Sequence, residues 1–178
     1  MKLLRTIRLD DSDTFLFETA AQSGEWAVSG AFAFANLDPA SLEGKARAAF
    51  RAGFLGIESL GWSTLVHIVE ASPEDRAAAV ATLARQLVDR FGAPDLVVAL
   101  PAAEEEIAFA ASLADHPTGM LAAVSRSHEA GFVREVFRAL RPSVEPPLRV
   151  FDVRQMTGEG YALPEHVDLL AMSRGECR

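Results

Sequence analysis

The chain predicts an α+β fold, a mixed, largely antiparallel sheet with helices packed on one face. Three observations carry this expectation. Residues 2–9, 14–18 and 26–35 are short apolar or alternating segments parted by turn clusters, the pattern of an antiparallel N-terminal sheet. Ser72-Pro73-Glu74-Asp75 opens a segment with helical apolar periodicity. Residues 63–127 read as strand, helix, strand, helix, strand, an order that also admits a parallel βαβ insert.

Residues 2–9 alternate and predict a strand; the cluster Asp10-Asp11-Ser12-Asp13 predicts a turn, and residues 14–18 a second strand pairing as a hairpin. Residues 26–35, WAVSGAFAFA, predict a third strand with Gly30 as a bulge or close backbone approach. Residues 41–54 predict a helix, and the β-branched content of 63–71 a strand. Ser72 can cap the next helix, with Pro73 at its first position, two acids in its first turn and Gly92 at its end. Residues 95–100, between Pro94 and Pro101, predict a short strand; 102–114 a helix with a small apolar face; and 120–127 a strand. Val133, Val136, Phe137 and Leu140 repeat at i, i+3, i+4 and i+7, so 132–140 is read as a helix rather than a hairpin strand. Pro142, Pro146 and Pro147 break the chain. The expected organisation is an α+β domain over 1–142 and a C-terminal extension over 143–178, with an extra strand at 148–154 and a short helix at 163–173.

At 178 residues the chain can bury roughly two thirds of its unfolded surface and needs no staple to fold. Its formal charge of −8 opposes nucleic-acid backbones and anionic membranes, so neither is an expected partner. The charge is uneven. Residues 51–120 carry four Arg against ten acids, whereas 121–178 carry eight Arg against eight acids. One cysteine, Cys177, excludes an internal disulfide and a cysteine-based metal site. The first ten residues, MKLLRTIRLD, lack the apolar run of a signal peptide, and a cytoplasmic location is expected.

The densest gathering of chemically useful residues is FRAGFLGIESLGWSTLVHIVEAS, from Phe50 to Ser72. Gly53, Gly56 and Gly61 do not make a phosphate loop, which needs strand, glycines, then helix; the order here is helix, turn, strand. Ser59 lacks the glycine two places before it that a nucleophile elbow requires, since Ile57 stands there. Ser59 and Ser63 suit backbone satisfaction in the turn. His67 falls on the face of Leu65 and Val69, opposite Val66 and Ile68. Ser59, Trp62, Ser63 and His67 are therefore the candidate lining of a small-molecule pocket. Glu105, Glu106, Asp115 and His116 lack metal-ligand spacing, His128 and His166 stand without context, and no metal, cofactor or catalytic set is assigned. On the helical reading of 132–140, Arg134, Arg138 and Arg141 share a face and form a candidate patch for an anion or an acidic partner.

The strings MKLLRTIRLD, KARAAFRAGFLGIESLGWSTLV, RFGAPD and AAEEEIAFAASLADHP together resemble a small uncharacterised family of bacterial proteins, over residues 1–142. The resemblance implies a domain of unknown function, with no active-site residues to carry over. The functional expectation is a soluble accessory or binding protein without catalysis of its own. Its acidic middle and Arg-bearing last third could meet across a homodimer. A small-molecule enzyme or sensor with a pocket near Trp62 and His67 is the alternative.

Overall fold

The chain runs through β1 (Lys2–Thr6), α1 (Ser12–Leu16), β2 (Trp26–Val28), two 3-10 turns (Ala31–Phe34 and Pro39–Ser41), α2 (Gly44–Ala52), β3 (Phe54–Gly56), β4 (Trp62–Ser63) and β5 (Leu65–Glu70). It continues through α3 (Pro73–Phe91), α4 (Leu96–Leu113), β6 (Leu121–Glu129), β7 (Phe132–Pro142) and β8 (Phe151–Met156). The computed structural model describes residues 1–8, 10–129, 132–142 and 151–156, and for Glu129, Pro142 and 151–156 the backbone alone. The eight strands form one sheet, ordered β4-β3-β2-β1-β5-β6-β7-β8, with every strand pairing antiparallel. The fold is thus α+β, and the alternative of a parallel βαβ insert is excluded.

Only Thr64 separates β4 from β5, so Trp62 to Glu70 is in effect one bent strand. Its first two residues pair with β3, and the remainder pairs with β1. Because β1 also pairs with β2 and β2 with β3, these strands close on themselves, and the sheet curls at this end. The β6–β7 hairpin outruns this ring. Its pairing with β5 stops at Leu65 opposite Ala123, while its own pairing continues to Glu129 opposite Phe132.

α4 lies on β1 and β2, and α3 packs against α4. Ala99, Ala103, Ile107 and Ala110 make the buried stripe of α4, and their small side chains permit close approach to the sheet. Leu4, Ala27, Val66, Ile68, Ala122 and Val124 meet them from the strands, with Val80, Leu83, Ala84 and Leu87 of α3 completing the core. α3 has the predicted ends: Ser72 Oγ accepts from the Asp75 N–H, the Asp75 carboxylate accepts from the Ser72 N–H, and Gly92 closes the helix at φ 79°. Among the described residues no helix is long and apolar enough to cross a membrane.

Several elements differ from expectation for physical reasons. Residues 14–18 are not a strand. The Asp10 carboxylate accepts from the Ser12 N–H, and a short helix forms in which Asp13 is buried. The segment 26–35 is strand only to Val28. Gly30 turns it with φ 77°, a left-handed conformation glycine adopts freely, into a 3-10 turn. The helix expected over 41–54 begins at Gly44, and Phe54 already belongs to β3. Residues 95–100 are not a strand either. Asp95 caps α4 by accepting from the Val98 N–H at 3.0 Å, and Pro101 lies inside the helix. The carbonyl deprived of a donor there is that of Val97, whose residue is 80% exposed, so water can serve it.

The helix expected over 132–140 is strand β7. Nine of its residues, Phe132 to Leu140, pair along β6, and Phe137 reaches ring contact with Phe54 at 6.2 Å and Phe109 at 5.8 Å. Those partners lie far off in sequence and outweigh the local period. β8 extends the sheet beyond β7, close to the strand expected at 148–154. The helix expected at 163–173, with His166 and Cys177, lies outside the described residues.

Candidate functional site

The bend between β4 and β5 is held by polar groups. Asp13 of α1, 5% exposed, accepts from the Thr64 hydroxyl at 2.9 Å and also from the Thr64 N–H. Ser63 Oγ bonds the carbonyls of Leu65 and Ile7 at 2.7 and 3.2 Å. A corner that interrupts a ladder leaves backbone groups to satisfy, and these side chains satisfy them. Ser63 is thereby committed to the fold.

The three glycines before and within the turn are sites of close approach. A Cβ on Gly53 would stand 2.7 Å from the Trp62 ring, one on Gly56 2.7 Å from the Glu25 carboxylate, and one on Gly61 2.5 Å from the Ala21 backbone. The indole of Trp62 fills the notch over Gly53 and Gly30 and lies 5.1 Å from the Phe34 ring, joining the main core to the cluster of Phe17, Leu42 and Phe50. The buried Glu25 carboxylate accepts from the N–H groups of Gln22, Glu58 and Ser59, which ties down the turn between β3 and β4. Ser59 Oγ accepts from the Gly61 N–H within that turn.

His67 stands on β5 opposite Arg5 on one side and Leu121 on the other, on the face opposite buried Val66 and Ile68. Arg5 stacks its guanidinium 3.7 Å over Trp26 and donates to the Gly24 carbonyl. Burial, and then the charge of Arg5, hold the His67 imidazole below its ordinary pKa. Ser59, Trp62 and Ser63 are thus put to three separate uses along the turn and the bend, and His67 follows them on β5. Arg134 and Arg138 share one face of β7, and strand alternation places Arg141 on the other, so the three-arginine helical face does not form.

Charged groups converge on Arg126, among the described residues the largest side chain that is essentially fully buried, at 1% exposed. Its five N–H bonds are all made. Nε donates to Glu135 Oε1 at 2.5 Å, Nη1 to the carbonyls of Phe50 and Gly53 at 3.0 and 2.8 Å, and Nη2 to the Ser29 carbonyl and, at 2.9 Å, to Ser29 Oγ. Ser29 Oγ in turn donates to Glu135 at 2.7 Å. Glu106 of α4 is the third charged member. Burial and then Glu135 raise its carboxyl pKa, with Arg126 opposing. The cluster clasps the β6–β7 hairpin to the end of β2 and the exit of α2. A sequence signal for it exists: Arg126 is in step with Ala122 and Val124, the inward side of β6.

Among the described residues no group of three or more His, Cys, Asp or Glu is placed to hold a metal ion. Fold and site together define a curled antiparallel sheet with a helical layer and an arginine-centred clasp. The chain belongs to a family of unknown function, DUF6505, whose model matches residues 1–158. That match extends past Pro142 and takes in β8. No curated protein and no solved structure matches the chain.

Proposed function

We propose that the protein is an accessory protein of the bacterial cytoplasm, without catalysis of its own, that works as a homodimer. The observation that carries this reading is the first turn of α4. Leu96, Val97, Val98 and Leu100 are 47, 80, 55 and 42% exposed, one apolar turn standing proud of an otherwise acidic middle segment. Apolar clusters of this kind favour burial against another surface. Further support comes from the polar groups of the turn and corner: Asp13, Glu25, Ser63 and Arg126 each bond backbone.

Light scattering after size exclusion tests it. The expected result is a dimer that Val97→Glu converts to a monomer with unchanged circular dichroism. A wild-type monomer at high concentration overturns the homodimer.

A second reading, a small-molecule site near Trp62 and His67, is favoured by the position of His67, partly buried beside Arg5 and biased toward the neutral imidazole. A thermal-shift screen of wild type and His67→Ala tests it. Ligand responses that survive the substitution remove it.

A further inference from the structure

α2 presents Arg47 and Arg51 one turn apart, on one side of the helix. That side and β6 border an open cleft of about 280 Å³, lined by Arg47, Arg51, Arg126, Ser127 and His128 over Phe50. Among the described residues no carboxylate lines it. Among the described residues the ion pairs are Arg76 with Glu104 and Arg126 with Glu135, so neither Arg47 nor Arg51 has an acid within ion-pair reach. A cationic hollow in a chain of net charge −8 runs against the overall balance.

We propose that this cleft binds the phosphoryl group of a small organic phosphate monoester. The two arginines carry the contact. Each guanidinium offers a planar fork of donors that matches two oxygens of an oxyanion. A carboxylate is satisfied by one fork, whereas a phosphoryl group has three outward oxygens and a second negative charge, and so engages both. Arg126 has no donor left for a ligand, because all five are bonded to protein. Its part is to hold the β6 wall in place at the exit of α2. The cleft is smaller than most drug-sized pockets, which run upward from roughly 300 Å³, and it admits a compact ligand. The chain's net charge of −8 disfavours a long polyanion.

This site is separate from the apolar turn of α4, and neither proposal rests on the other. Isothermal titration of the full chain at low salt, with glycerol 3-phosphate and with succinate, tests it. The ester is expected to bind, and succinate to bind at least about tenfold more weakly. Arg47→Gln/Arg51→Gln is expected to weaken the ester at least about tenfold. Lys at both positions keeps the charge but loses the forks, and recovers only part of the affinity. Both arginines are exposed, so the melting midpoint should not move. Arg51→Gln alone repeats the test if the double variant folds poorly. No heat from the ester up to about 10 mM, or equal binding by wild type and the Gln variant, overturns the site. Equal affinity for succinate overturns the phosphoryl assignment.

Discussion

Arg126 and Glu135 face each other across the β6–β7 hairpin, with Nε 2.5 Å from the carboxylate oxygen, and the same guanidinium holds carbonyls of Ser29, Phe50 and Gly53. One buried cation thereby links three parts of the chain that meet only in the folded protein.

Replacing Arg126 with Met takes its buried cation from half-buried Glu135 and its donors from three carbonyls. The expected cost is about 3–5 kcal/mol by chemical denaturation, the range for breaking a buried pair from one side. Arg126→Lys should rescue little, because an ammonium has three donors at one point and cannot span the same acceptors. A denaturation midpoint equal to wild type would show that the clasp contributes nothing to stability.

Gly53→Ala drives a methyl to 2.7 Å from the Trp62 ring and 2.8 Å from the Ala49 carbonyl. Overpacking of this kind costs about 1–3 kcal/mol. Trp62→Leu opens the notch, so the two substitutions together should cost less than their sum. A double-mutant cycle reads the coupling, and strict additivity would mean that the indole does not set the requirement for glycine.

Glu106 has its folded pKa raised above 4.5, chiefly by burial and by Glu135. Its contribution to stability is fully present below pH 4.5 and is lost as pH rises through the raised value. Glu106→Gln should therefore be more stable than wild type at neutral pH, with the gain disappearing below the unfolded pKa. Denaturation midpoints across pH 4–8 measure this. A gain that persisted unchanged at acid pH would assign it to packing instead of charge.

His67 has the opposite sign. Its folded pKa lies below 6.5, so the unfolded chain binds more protons as pH drops under that value. Stability is full above pH 6.5 and declines as pH falls through the window beneath it. His67→Gln should flatten this part of the profile. Direct titration of the imidazole by proton NMR supplies the independent check, and a midpoint at or above 6.5 would refute the assignment.

Local features were legible wherever their cause was local. The ends of α3 follow from Ser72, Asp75 and Gly92, residues that act within one turn of themselves. The two faces of β5 follow from alternation, with His67 opposite buried Val66 and Ile68. The candidate site was less legible. Ser59, Trp62, Ser63 and His67 are near in sequence, but the bend at Thr64 sends the two parts of the strand to different neighbours. Asp13, which anchors that bend from 51 residues away, carries no mark in the sequence beyond a turn-forming cluster.

The amino-acid order alone determined that this chain makes a largely antiparallel α+β sheet protein, which helix would be capped by Ser72, and which residues of β5 share a face, because periodicity and capping act over a few residues. Only the tertiary structure decided that 132–142 is strand and 96–101 is helix, and that Arg126 is a buried arginine. Those outcomes depend on partners such as Phe54, Phe109, Ser29 and Gly53, and the free energy of meeting them exceeds the small local preferences that a sequence displays.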